Sequence, residues 1–394
     1  MTRTRPPLWL LVLVTMSGTL AMHMFVPALP YAARDLSASV GQTQMTISLY
    51  IIGLAIGQLF YGPLSDALGR RPMLMVGLSL YTLSGIAAVF AFNLHMLVAA
   101  RLFQALGGCA GLALGRAIVR DTADAERVVS QLALMNLMMM MGPGLAPMLG
   151  SAVADALGWR AVFGVLAALG ALALFSALRL LPETGQPSGR FSAGILLRDY
   201  RALLGSARFV GFALGGGVAT TSVYAFIASA PFIFVEQLHR PLHEVGYYLG
   251  LMIFGMSVGN ALTSRLIRRV SLDRLLLGGN LLSLCSAVAL LLLAVDGRLS
   301  VAGVVGLMFL FTCGVGFTGP AALTRALGSD PRLVGSAAGL YGFTQMMCGA
   351  ISTSFASLGS DAAVSASAVL AGAVALGQLG FWLSIRRERA FSSE

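Results

Sequence analysis

Twelve stretches of this chain are long and apolar enough to cross a bilayer, and within them only His23 and Arg101 belong to side-chain types that carry charge near neutral pH. Hydrocarbon offers no partner to an open backbone, so such stretches span as helices. About 20 residues at 1.5 Å each cover the ~30 Å core. The expected spans are roughly 8–29, 43–61, 72–92, 96–115, 128–153, 161–178, 209–235, 245–264, 275–295, 299–324, 334–357 and 362–385. The fold class is therefore all-α, a twelve-helix membrane protein. Ionisable groups are costly in lipid, and those that persist usually serve a pathway or a relay.

Composition agrees. The chain is 57% hydrophobic and 11% charged, whereas soluble domains carry about twice that charge. The net charge of +10 needs no nucleic acid, because anionic lipid headgroups are sufficient partners for basic loops. Cys109, Cys285, Cys313 and Cys348 all lie in apolar spans without zinc-type or CxxC spacing, and read as small buried residues. Neither a phosphate-cradling GxxxxGK[ST] motif nor a His/Cys/Asp/Glu constellation appears. The chain therefore reads as a carrier with no metal or cofactor, not an enzyme.

Arginine placement orients the spans. With the N-terminus inside, the clusters at Arg70–Arg71, Arg116–Arg120, Arg198–Arg208 and Arg265–Arg269 are cytoplasmic, and the other side keeps only Arg34, Arg160, Arg240 and Arg298. That is the positive-inside pattern, and it places both termini in the cytoplasm. The Pro- and Gly-containing stretch 182–206 reads as a cytoplasmic linker between an N-terminal six-helix half, 1–181, and a C-terminal half, 207–394. A weak repeat at an offset of 197 pairs Gly53 with Gly250, Gly62 with Gly259 and Arg71 with Arg268.

The loop after the second span reads GPLSDALGRRP, residues 62–72. Asp66 suits a helix N-terminus, and Arg70 and Arg71 suit nearby acids. An ordinary basic loop is the plainer account. The loop resembles the signature between spans two and three of the major facilitator superfamily. FVPALP (25–30), RLFQALGG (101–108), RAIVRD (116–121), GPGLAPMLG (142–150), GWRAVF (158–163) and VGSAAGLYGFTQ (334–345) resemble more narrowly the Bcr/CflA group of bacterial drug:proton antiporters.

The resemblance implies two pseudo-symmetric halves, alternating access and export of small-molecule drugs across the inner membrane by a monomer. Export would be driven by the proton motive force rather than by a cofactor. A proton-coupled metabolite exporter or importer on the same fold is the alternative. A transport-inactive membrane sensor is the remote one.

One departure stands out. That group usually carries an aspartate in span one where this chain has His23. At 1.5 Å per residue, His23 lies about 22 Å from the inner end of its span and ~8 Å from the outer face, and Arg101 lies about 8 Å deep from that same face. The pair is the candidate for proton coupling, with His23 as the switch beside a fixed charge. Helix packing, or a hydrogen bond to substrate, is the plainer role for His23. A cavity with these cations and no carboxylate favours neutral or weakly acidic drugs over lipophilic cations.

Tyr50, Gln104, Asn136, Met138, Tyr224 and Gln345 are candidate cavity residues. Interhelical hydrogen bonding is the plainer role for the polar ones, and apolar filling for Met138. Gly142, Pro143 and Pro147 mark a helix bend or gate. Asp66, Arg70, Arg71, Arg120 and Asp121 are candidates for a cytoplasmic latch, with Asp66–Arg70 and Arg120–Asp121 as its pairs.

Overall fold

The computed structural model describes residues 6–122, 144–185, 189, 193–267, 269–330 and 333–391. Every regular element among them is helical. Ten described helical segments are long and apolar enough to cross a membrane. Large apolar side chains stay uncovered along them, such as Leu83, Leu292 and Leu376. A surface of this kind is stable against acyl chains and not against water.

Internal packing divides the chain into two compact units, Met1–Ala193 and Gly194–Glu394. The first contains α1 (Leu8–Met24), α2 (Leu29–Asp35), α3 (Val40–Leu68), α4 (Arg70–Val89), α5 (Leu94–Thr122), α6 (Gly144–Leu157) and α7 (Trp159–Leu180). Here α5 is the hub, packed against α1, α3 and α4, while α7 covers α4 and α1. The second contains α8 (Ala193–Gly205), α9 (Ala207–Thr221), α10 (Val223–Phe232), α11 (Leu242–Leu266), α12 (Leu272–Val295), α13 (Val301–Leu327), α14 (Val334–Ala356) and α15 (Ala362–Phe391). Its hub is shared by α13, against α11 and α12, and α9, against α14 and α15.

Local chemistry sets the breaks. Ser39 and Gln42 form a reciprocal capping box that starts α3. Gly69, at φ +104°, turns α3 into α4 in a backbone region other residues rarely adopt. The first expected span is not one helix. It breaks at Phe25, passes through a 3₁₀ turn at Val26–Ala28 that contains Pro27, and resumes as α2. Proline supplies no N–H to continue the ladder. The span expected over 209–235 is likewise interrupted, at Ser222 between α9 and α10.

Three further expectations change. The stretch 182–206 is not merely a linker, because α8 occupies most of it and the division between units falls inside it. Cys285 is exposed, unlike the other three cysteines, since it faces outward from an apolar helix. The eleventh expected span has the length in α14, but its Gly, Ser, Thr and Gln residues keep it out of the ten most apolar segments.

The two units share a packing device in a different register from the sequence repeat. The starts of α3 and α11, Val40 and Leu242, stand 202 residues apart, as do those of α4 and α12, Arg70 and Leu272. In that register Gly53 and Gly57 correspond to Gly255 and Gly259. A Cβ on Gly53 would lie 2.7 Å from the Leu102 carbonyl oxygen, and one on Gly255 2.4 Å from that of Phe309. These small-xxx-small seams bring α3 onto α5 and α11 onto α13 at backbone distance. The offset of 197 instead pairs residues at unequal distances from the starts of α3 and α11.

Candidate functional site: a caged guanidinium in the first unit

Arg101 is fully buried. It projects from α5, in the N-terminal third of that helix, into a box of aromatic faces. Its guanidinium carbon stands 3.9 Å from the ring centre of Tyr50, 5.5 Å from Phe25 and 5.7 Å from Phe163. Ring faces carry negative quadrupole density, so they attract a desolvated cation. Nη1 donates to the Ala21 carbonyl at 2.9 Å and to Gln104 Oε1 at 2.8 Å. Tyr50 is itself fixed by donating to the Gly18 carbonyl at 2.7 Å. No carboxylate is buried among the described residues, so carbonyls and π faces provide the compensation.

The cage has a roof. Phe25 and Phe163 lie 4.6 Å apart, centre to centre, and Trp159 packs edge-on against Phe163 at 6.1 Å. Trp159 Nε1 donates to Asp35 at 3.1 Å, and Arg160 pairs with the same carboxylate. Two motifs distant in sequence, 25–30 and 158–163, therefore meet above Arg101. Gly150 brings α6 against the end of α1, where a Cβ would lie 1.9 Å from the Met24 carbonyl oxygen.

The box leaves donors over. Arg101 Nε and Nη2 and Gln104 Nε2 have no hydrogen-bond partner among the described residues. Buried N–H groups without acceptors are costly, and these three can take carbonyl, nitro or carboxylate oxygens.

His23 is buried at the end of α1, two residues past the carbonyl that Arg101 grips. Its Nδ1 lies 2.8 Å from the Thr19 carbonyl. A carbonyl only accepts, so Nδ1 carries a proton in either charge state, and any titration occurs at Nε2.

The other candidates divide. Tyr50 and Gln104 are enclosed and hold Arg101. In the second unit Gln345 Nε2 donates to Thr220 at 3.0 Å, and its backbone carbonyl accepts from Thr221 at 2.7 Å. Tyr224 packs beside Gly349 on the same seam of α9 and α10 against α14. Asn136, Met138, Gly142 and Pro143 lie outside the described residues, whereas Pro147 is buried in α6.

At the other end of the first unit Arg70 is the centre of the charge cluster. It pairs with Asp66 at 2.6 Å and, through Nε, with Asp121 at 3.1 Å. Asp121 thus pairs with Arg70, and the expected Arg120–Asp121 pair involves a side chain outside the described residues. Arg71 donates to the Leu178 carbonyl at 3.0 Å. Glu183 had no place in the sequence reading. It accepts from the backbone N–H of Arg70 at 2.9 Å and of Arg71 at 3.2 Å, capping the N-terminus of α4. The signal for it, an acid just past an apolar span, is common to many loops. The second unit carries a related bridge with the signs exchanged: Asp273 near the start of α12 pairs with Arg325 near the end of α13.

Comparisons with known proteins agree with this architecture. The Major Facilitator Superfamily model matches residues 11–353. The chain is 31% identical over 343 residues to Multidrug resistance protein D of Escherichia coli (strain K12), covering 86% of this chain and 85% of the relative. It is 30% identical over 391 residues to the uncharacterized MFS-type transporter YdgK of Bacillus subtilis (strain 168), covering 97% and 95%. Among solved structures it superposes on a D-xylose-proton symporter with a TM-score of 0.76 over 95% of this chain and 96% of that one, at 14% identity, a likeness of fold alone. The chain belongs to the Major Facilitator Superfamily: it is a multi-pass membrane protein, a secondary transporter of small molecules and not an enzyme.

Proposed function

We propose that this transporter exports small-molecule drugs from the cytoplasm across a bacterial inner membrane, in exchange for protons, and that it favours neutral or weakly acidic compounds. The observation that carries the reading is the caged Arg101. A cation with no buried carboxylate among the described residues, with two unmatched donors of its own and a third on Gln104, suits an electron-rich group and repels a quaternary ammonium ion. The drug-resistance relative supports the substrate class. His23 supports the coupling: protonation at Nε2 adds a second positive charge beside Arg101, which is a change of state that a proton can impose.

The test is drug-dependent proton release from reconstituted protein, comparing wild type with His23→Asn and Arg101→Ala. Coupled release is expected from wild type and from neither variant. Full gradient-driven efflux by His23→Asn removes the histidine from the mechanism. Robust export of ethidium-type cations removes the substrate preference.

A further inference from the structure

The second unit opens with a helix that transport does not account for. α8 spans Ala193–Gly205 and is the most strongly amphipathic helix described. Leu203 is buried, Leu196 is partly covered, and Asp199 accepts from Ser336 at the start of α14, at 3.3 Å. One face is therefore docked. Leu197 and Leu204, seven residues apart and so on one edge, are 50% and 57% exposed. Arg201 lies between them along that edge, and Arg198 lies one turn before it. Both are exposed. Tyr200 stands at the border of the two faces, and burial, with the Asp199 carboxylate adding to it, pushes its phenol up to about 12.

Position fixes what meets the exposed edge. α8 ends at Gly205, and Ser206 already caps the spanning helix α9, accepting from Phe209 N–H at 3.3 Å. A helix joined to a span through one capping residue has its C-terminal end at the bilayer surface. We propose that α8 is an interfacial anchor, with Leu197 and Leu204 in the acyl boundary of the cytoplasmic leaflet and Arg198 and Arg201 on the phosphates of anionic phospholipids. Leucine on an edge flanked by arginine is the composition such helices use. Each arginine near an anionic surface strengthens the attraction about fivefold. The inference rests on the cytoplasmic placement of this loop and is independent of what is transported.

Nitroxide labels at Leu204→Cys and, separately, Ala202→Cys test it in the full chain with Cys285→Ser, which removes the exposed native thiol. In nanodiscs of phosphatidylcholine with phosphatidylglycerol, the label at 204 is expected to be oxygen-accessible and protected from a water-soluble nickel chelate. The label at 202, on the far side of the exposed face, is expected to show the reverse. Arg198→Glu with Arg201→Glu, or discs of phosphatidylcholine alone, should raise nickel accessibility at 204 severalfold toward that at 202. Equal nickel accessibility at 204 and 202 in the anionic discs overturns the anchor. Protection at 204 that ignores both charge reversal and lipid charge overturns the anionic-lipid assignment. A circular-dichroism spectrum and an elution volume matching wild type establish that the variants fold.

Discussion

The two units solve the same packing problem and differ in what they bury. Both draw a glycine seam together, Gly53 and Gly57 of α3 against α5 in one, Gly255 and Gly259 of α11 against α13 in the other. Their buried polar groups diverge. The described part of the first unit encloses Arg101 and His23, whereas that of the second buries no residue of a charged type and relies on neutral pairs. Asn280 donates to Gln378 at 2.7 Å and to the Val374 carbonyl at 3.0 Å, and Gln345 donates to Thr220. Neutral amides can bridge helices at small cost. A guanidinium removed from water carries a desolvation penalty that packing does not require. The difference indicates that shared architecture accounts for the seams, and that the cation is retained for another reason.

The comparison can be broken most decisively at Arg101. Arg101→Met replaces a buried charge with an apolar chain of similar length; replacing whole buried ion pairs by apolar residues is neutral or stabilising by about 1–4 kcal/mol elsewhere, and here no buried carboxylate is left orphaned among the described residues. The expected outcome is a melting temperature that holds or rises, with gradient-driven transport abolished. A fall in both would make the cation a structural element. Next come the seams: Gly53→Ala and Gly255→Ala should each cost about 1–3 kcal/mol by overpacking, seen as matched losses of thermal stability in detergent. An effect confined to one unit would show that the 202-residue register is not a packing equivalence.

Charge exchange gives an intermediate effect. Arg325→Asp or Asp273→Arg alone should weaken the second unit by about 1–2 kcal/mol, and the double variant should recover most of it, read as the coupling energy of a thermal double-mutant cycle. Recovery would support the sign-reversed relation to the Arg70–Asp121 bridge. Glu183→Gln removes the charge at the start of α4 and one of the two oxygens that accept from Arg70 and Arg71, so a loss of about 1 kcal/mol is expected from the same melts. The smallest change belongs to Gln345→Ala, about 0.6 kcal/mol, with transport affected only if that seam also touches substrate.

Much of this was legible in the chain. Uninterrupted apolar runs dictate spanning helices because an unpaired backbone cannot sit in hydrocarbon, and the isolation of His23 and Arg101 marked them for attention. Other features were not legible. Phe25, Tyr50 and Phe163 are three aromatic residues among many in an apolar chain, and no spacing marks them as the ones facing a guanidinium. Asp35 and Arg160 are 125 positions apart. Asp121 and its partner Arg70 are 51 positions apart.

The sequence alone determined that the chain crosses a membrane many times and that an imidazole and a guanidinium are its few charges there, because hydrophobic length and residue type are local properties. Only the tertiary structure decided what stabilises that guanidinium, which donors it leaves over, which acid caps α4 and where the two units correspond. Those outcomes depend on which helix faces meet, and contact between distant segments is set by packing across the whole unit rather than by any one segment.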